Sequence, residues 1–314
     1  MIDYGTGISA VDTGFFRPNF DASYLVVENG RAAFVDVGTN HSVPRLLDAL
    51  AQKKTSVDAV DYVILTHVHL DHAGGAGSLM QKLPNARAVI HPRGARHMID
   101  PSQLVAGATA VYGAEEIQRS YGTLVPIDPA RVDTASDNYI IDLAGRKLLC
   151  IDAPGHARHH MTIYDEKSRA FFTGDTFGLS YREFDTDQGA FILPTSTPIQ
   201  FEPDALHASI DRMVGFRPTQ MFLTHFGRVT EVTKLAGDLH EQIDAMVDIA
   251  RAHATDADRH ATIMHDLAEL YISRAKSHGC TFDDAKIREL LSMDIELNAQ
   301  GLEVWVDKQL GARH

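Results

Sequence analysis

The chain has 314 residues, 44% of them hydrophobic, which suits one large domain or two modest ones with a full core. Its 42 acidic against 29 basic residues leave a formal net charge of -13. That field disfavours general binding to nucleic acid or anionic lipid, though bound metal ions can reverse it locally for an anionic substrate. No apolar run is long enough to span a bilayer, and the start Met1-Ile2-Asp3-Tyr4-Gly5 lacks the basic and apolar stretches of an export signal. Cys150, in the apolar run Leu148-Leu149-Cys150-Ile151, reads as a small buried hydrophobe, and with Cys280 it provides no disulfide framework. A soluble, cytoplasmic protein is expected.

In chain order, residues 23–28 and 31–37 are short and β-prone, with Asn29-Gly30 between them as a two-residue hairpin turn. Residues 43–53 predict a helix with Val43, Leu46, Leu47 and Leu50 on one face. Tyr62-Val63-Ile64-Leu65 predicts a strand buried on both faces. It runs into Thr66-His67-Val68-His69-Leu70-Asp71-His72 and then the Gly-rich Ala73-Gly74-Gly75-Ala76-Gly77, a loop leading to a short helix. Residues 88–90 predict a strand, and residues 98–135 give mixed signals. Strands are expected at 138–142, 147–152 and 169–173, a helix at 205–216 and a strand at 220–223 that ends in Thr224-His225. From about residue 235 the apolar spacing is helical throughout, with Gly301 separating two stretches of it. Two domains follow: residues 1–234, and a helical extension of residues 235–314 whose apolar stripes form its own core. A homodimer surface or a lid over the site is the alternative for those stripes.

The chemistry concentrates at strand ends, where α/β proteins present it. His67, His69, Asp71 and His72 fall within six residues. On extended backbone His67, His69 and Asp71 share one side, and His72 projects to another, which suits two adjacent metal ions better than one. Three further apolar strands end in a ligand type: Cys150-Ile151-Asp152-Ala153-Pro154-Gly155-His156, Phe171-Phe172-Thr173-Gly174-Asp175 and Met221-Phe222-Leu223-Thr224-His225. A lone histidine after a strand is commonly a structural hydrogen-bonding residue; four such ends in this order are not explained that way.

This order resembles the metallo-β-lactamase superfamily over roughly residues 20–230, with residues 66–72 in place of its H-x-H-x-D-H signature. Tyr24-Leu25-Val26 and Phe34-Val35-Asp36-Val37-Gly38 are similar to the family's opening hairpin. The resemblance implies an α/β fold, a four-layer αββα sandwich, here with a C-terminal helical extension. It implies that His67, His69 and His156 hold one metal ion, that Asp71, His72 and His225 hold another, and that Asp175 bridges them. Imidazole and carboxylate suit zinc, and also iron or manganese. Such a pair, about 3.5–4 Å apart, can share a hydroxide generated near neutral pH, so no Ser or Cys nucleophile is required. Asp71 is the expected catalytic residue, orienting that hydroxide and shuttling its proton.

The segment after His156 departs from the pattern. Ala157 stands where many relatives have Thr, His159 replaces a small residue, and His160 occupies a position that is Ser or His in some relatives. His160 is a candidate to support a ligand or to face substrate. The segment 177–203 carries Phe177, Tyr181, Phe184, Phe191 and Phe201. Phe177, Tyr181 and Phe191 are candidate contacts for an apolar acyl or ring group, or they simply pack the loop down.

The complete ligand set with Asp175 is more similar to glyoxalase II, lactonases and related thioester or phosphoester hydrolases than to true β-lactamases. A dinuclear hydrolase of a small-molecule ester, thioester, lactone or phosphoester is therefore expected. The alternatives are an iron-dependent oxidoreductase or dioxygenase of the same fold and a non-catalytic signalling protein. His69 argues against flavodiiron relatives, which carry Glu there.

Overall fold

The computed structural model describes residues 1–196 and 200–311. The chain divides into two compact units. One comprises Met1–Asp152, His159–Gly174 and Pro218–Arg228; the other comprises Ala153–Arg158, Asp175–Arg217 and the chain from Val229 onward.

The first unit is built on two sheets. In chain order the first holds β1 (Ile2–Gly5), β2 (Ile8–Asp12), β3 (Ala22–Glu28), β4 (Arg31–Val35), β5 (Val60–Leu65), β6 (Arg87–Ile90) and β7 (Val132–Thr134), hydrogen-bonded in that order. β1 to β4 run antiparallel. The expected hairpin joins β3 to β4, with Glu28 opposite Arg31 and both turn residues, Asn29 and Gly30, at positive φ, as a type I′ turn demands. The pairings β4 to β5, β5 to β6 and β6 to β7 are parallel, so each requires a crossover. Helices supply them: α1 (Val43–Gln52), α2 (Leu70–Ala73), α3 (Ala76–Met80), α4 (Pro92–Ile99), α5 (Ser102–Tyr112) and α6 (Ala114–Tyr121). The second sheet holds β8 (Tyr139–Leu143), β9 (Arg146–Asp152), β10 (Met161–Asp165), β11 (Ala170–Gly174), β12 (Gln220–Leu223) and β13 (Gly227–Val229), in reverse chain order across the sheet.

Side-chain alternation sorts the core into two layers. Phe34, Val63, Leu65, Ala88 and Ile90 face Leu46 and Leu50 of α1 and Leu79 of α3. Their alternates Ala33, Val35, Ile64 and Val89 face the second sheet and meet Ile163, Phe172 and Phe222 there. This is why β5 reads as a continuous apolar run. Within the inter-sheet layer the Tyr24 hydroxyl donates to the Leu223 carbonyl, and burial pushes the Cys150 thiol up to about 12.

One charged group is also fully enclosed. Arg146 on β9 makes a two-pronged pair with Asp165 on β10, Nε to Oδ1 at 3.0 Å, and donates from Nη1 to the Thr6 carbonyl between β1 and β2 at 2.6 Å. Both side chains are at most 1% exposed. Removing either partner strands a charge in the interior.

The second unit is helical: α7 (Pro203–Gly215), α8 (Val232–Ala252), α9 (Arg259–Ser277), α10 (Asp284–Leu290) and α11 (Ser292–Gly311). α8, α9 and α11 pack on one another, and the stripes Leu239, Ile243 and Met246, Ile263, Leu267 and Tyr271, and Leu302, Trp305 and Val306 are all buried. Gly301 does not separate helices as its sequence position suggests. α11 continues through it, with Gly301 buried in close packing. Of the extension, residues 312–314 lie outside the described residues. Among those described, no helix is long and apolar enough to cross a membrane.

Two histidines tie these helices together. Hydrogen bonds donated by His253 to Asp266 and Asp256 raise its pKa; at His260, burial is outweighed by Glu303 and Glu296, and the pKa is again raised. A raised folded-state pKa stabilises fully below the unfolded value of about 6.5, and that stability is lost as pH rises through the folded values.

Two outcomes are expected. Arg146→Ala should lower the unfolding free energy by about 3–5 kcal/mol in urea titrations. Between pH 6 and 8 the wild type should lose more thermal stability than H253Q/H260Q; equal slopes would show that these pairs add nothing.

Candidate metal centre

The first unit presents its histidine run where β5 ends. His67 is fully buried, Nδ1 lying 3.2 Å from Thr66 Oγ1 and Nε2 2.8 Å from His69 Nδ1. His69 is still extended, at φ -66° and ψ 151°, but Asp71 and His72 lie on the single turn of α2 that follows it, so helix geometry rather than strand alternation places them. The donor atoms of Asp71, His72 and His225 lie within 4.8 Å of one another. His72 Nε2 is 3.7 Å and His225 Nε2 3.5 Å from Asp71 Oδ2.

The far side of each ring explains its orientation. His225 Nδ1 is 3.0 Å from the Phe20 carbonyl, and His72 Nδ1 is 3.1 Å from Asp36 Oδ2. Both oxygens accept, so Nδ1 carries the proton and Nε2 keeps the lone pair that a metal ion needs. The donor set therefore fits a divalent cation: two imidazoles and a carboxylate converge, with outer oxygens accepting from Nδ1. Asp71 is partly exposed, at 26%, whereas His72 is sealed. Beside them, burial pushes the Asp21 carboxyl up to about 7 against the pull of the His225 and His72 rings, and Asp21 accepts from the Thr13 hydroxyl at 2.7 Å.

Asp36 is the functional residue that sequence reasoning left without a role. It follows β4 at φ 53°, a left-handed conformation that Asp tolerates better than most side chains. Its carboxylate accepts from the Thr66 backbone at 2.8 Å, from the Thr66 hydroxyl, from the Thr224 hydroxyl at 2.9 Å and from His72. An Asp at a strand end directly before Val-Gly was the available signal.

His160 is fully buried, its ring stacked on His67 at 4.8 Å between centroids. Gly174 makes room for it. At φ 50°, a Cβ there would lie 2.5 Å from His160 Nε2 and 2.6 Å from Thr66 Oγ1, so a side chain would displace the ring that backs His67.

The second unit carries the two remaining strand-end candidates. His156 Nδ1 is 3.3 Å from the Thr195 carbonyl, the same outer pattern, and its Nε2 is 3.3 Å from Asp175 Oδ2. The Thr176 hydroxyl bonds the Ala153 carbonyl at 3.0 Å and joins the two turns. The other candidates are buried in this unit. Phe177 is enclosed, the Tyr181 hydroxyl donates to Asp294 at 3.0 Å, and Phe191 packs on Phe184 and His278.

The sequence profile of the metallo-beta-lactamase superfamily matches residues 17–225. The chain belongs to that superfamily and has its α/β sandwich fold with a helical C-terminal region. Among its relatives is the metallo-beta-lactamase fold-containing protein ST1585 of Sulfurisphaera tokodaii, 25% identical over 217 residues, 68% of this chain and 75% of that protein. The crystal structure of ST1585, from Sulfolobus tokodaii, superposes with a TM-score of 0.65 at 22% identity, covering 94% of this chain and 98% of that one. The metallo-beta-lactamase family protein TTHA1429 of Thermus thermophilus gives 0.63 at 20% identity, with 91% and 93% covered. A chemotaxis sensor solved as a peroxy diiron species gives 0.55 at 16% identity, with 76% and 92% covered.

Asp36→Asn should preserve the far-UV spectrum yet weaken metal binding about 10- to 100-fold in competition with a chelator, the usual cost of losing a ligand-orienting partner. Unchanged affinity would remove Asp36 from that role.

Proposed function

We propose that this protein is a dinuclear metal-dependent hydrolase that cleaves an ester, thioester, lactone or phosphoester bond, closer to the glyoxalase II and lactonase type than to true β-lactamases. The observation that carries the reading is the convergence of Asp71 with the Nε2 atoms of His72 and His225. By the family pattern, His67, His69 and His156 would hold one ion and Asp71, His72 and His225 the other, with Asp175 as a further ligand. The catalytic domain is residues 1–234, with the later helices as an extension. When bound, the ions, zinc in this reading, supply Lewis acidity that lowers the pKa of water toward ~7 and stabilises developing negative charge.

The chain's own groups do the rest. Asp71, the partly exposed carboxylate of the set, accepts a hydrogen bond from the attacking water, orients it and takes up its proton. His160 holds the His67 ring in place by stacking on it. Asp36 and Thr66 hold the start of the histidine run against the end of β4.

Asp71→Ala should lower turnover of the best substrate, found in a panel of thioesters, lactones and phosphodiesters, by more than tenfold, equivalent to at least ~1.4 kcal/mol of barrier. A smaller loss would take the catalytic role from Asp71. The second reading is an iron-dependent oxidoreductase, favoured by the fold shared with the peroxy diiron sensor. Elemental analysis of anaerobically purified protein decides: two zinc ions per chain support hydrolysis, and a single iron with oxygen uptake overturns it.

A further inference from the structure

α7 and α8 carry the same short spacing, His-x-x-x-Asp: His207 with Asp211, and His240 with Asp244. Four residues apart, each histidine and its aspartate share one helix face. The pairing is crossed between the helices. His207 Nε2 lies 3.2 Å from Asp244 Oδ1, and His240 Nε2 lies 3.1 Å from Asp211 Oδ1. The two rings stack with centroids 4.8 Å apart and planes inclined by 21°, and their Nδ1 atoms are 2.6 Å apart.

The crossed aspartates favour one tautomer of each ring. A carboxylate accepts and does not donate, so each Nε2 carries a proton and each Nδ1 presents a lone pair. Two lone pairs 2.6 Å apart repel unless a cation lies between them. A proton satisfies that demand at the observed spacing; a metal ion, with bonds of about 2.0–2.1 Å to each nitrogen, does so once the two partly exposed rings move apart by less than about an ångström. The geometry on the far side of each ring is that of carboxylate–histidine–metal triads, in which the outer carboxylate fixes the tautomer and raises the basicity of the ligating nitrogen. Both rings are about a quarter exposed, at 24% and 28%, so further coordination positions open to solvent. The two aspartates add negative charge that favours a dication over a single proton.

We propose that His207 and His240 bind a divalent transition-metal ion through their Nδ1 atoms, with Asp211 and Asp244 as positioning residues. Paired imidazoles select zinc, nickel or copper and discriminate against magnesium and calcium, which require oxygen ligands. The ion displaces the proton held between the rings, and that proton leaves to solvent. The site links α7 to α8 and stabilises the folded helical unit by mass action. None of its four residues has a part in the proposed hydrolysis, so the two readings stand or fall separately.

The test is zinc content of the full chain after equilibrium dialysis against excess Zn2+. The wild type should hold one more zinc per chain than H207Q/H240Q. D211N/D244N, which keeps both rings, should bind that additional zinc about 10- to 100-fold more weakly. Equal zinc content in the wild type and H207Q/H240Q would leave a shared proton as the sole occupant and overturn the proposal. Should H207Q/H240Q fail to fold, 15N-histidine NMR of the wild type decides instead. Added zinc should shift Nδ1 of His207 and His240 while Nε2 stays protonated, and unmoved Nδ1 signals overturn the site.

Discussion

A single carboxylate organises the candidate metal ligands of the first unit. Asp36 receives hydrogen bonds from the end of β5 through Thr66, from the turn after β12 through Thr224, and from the α2 turn through His72. Three strand ends and a helix are thereby held to one point. Each buried donor needs an acceptor, and one enclosed carboxylate meets that need for four of them. The orientation of His72 follows, because its Nδ1 is occupied and only Nε2 remains for a ligand. The cluster with Asp71 and His225 inherits its precision from groups that never touch the ligand.

The same outer pattern recurs at His225, His156, His207 and His240. Phe20 serves His225, Thr195 serves His156, and the crossed aspartates serve His207 and His240. Backbone carbonyls are the more rigid partners because sheet and turn geometry fixes them. The aspartates on α7 and α8 are more exposed and can rearrange with their ligand. Tautomer control thus separates a preorganised pattern from an adaptable one within a single chain.

Much of this is legible in the sequence because the strands of a doubly buried sheet are continuous apolar runs. β5, β9, β11 and β12 are readable, and each is followed directly by a ligand type. β3 and β4 are marked by Asn29-Gly30. β1, β2 and β10 are not: Ile2-Asp3-Tyr4-Gly5 and Met161-Thr162-Ile163 mix polar and apolar residues too briefly to show a period. Composition identifies the run after β5 but not its conformation. A four-residue helix is too short to leave a periodic signal, so Asp71 and His72 read as strand when they form a turn of α2. The buried role of Asp36 is hidden because a carboxylate at a strand end reads equally well as a solvated one, and its partners are distant in sequence.

That distance bears on when the Asp71, His72 and His225 cluster can form. The Thr224 hydroxyl and the Asp36 carboxylate are 188 residues apart in the chain, and His225 is the next residue. A nascent chain that already displays His67, His69, Asp71 and His72 has neither the second clamp on Asp36 nor the third donor beside Asp71. Any ion captured at that stage meets an incomplete, solvent-open set of ligands. The folded arrangement of Asp71, His72 and His225 therefore has to wait until synthesis has passed residue 225, and the late strand β12 sets its timing.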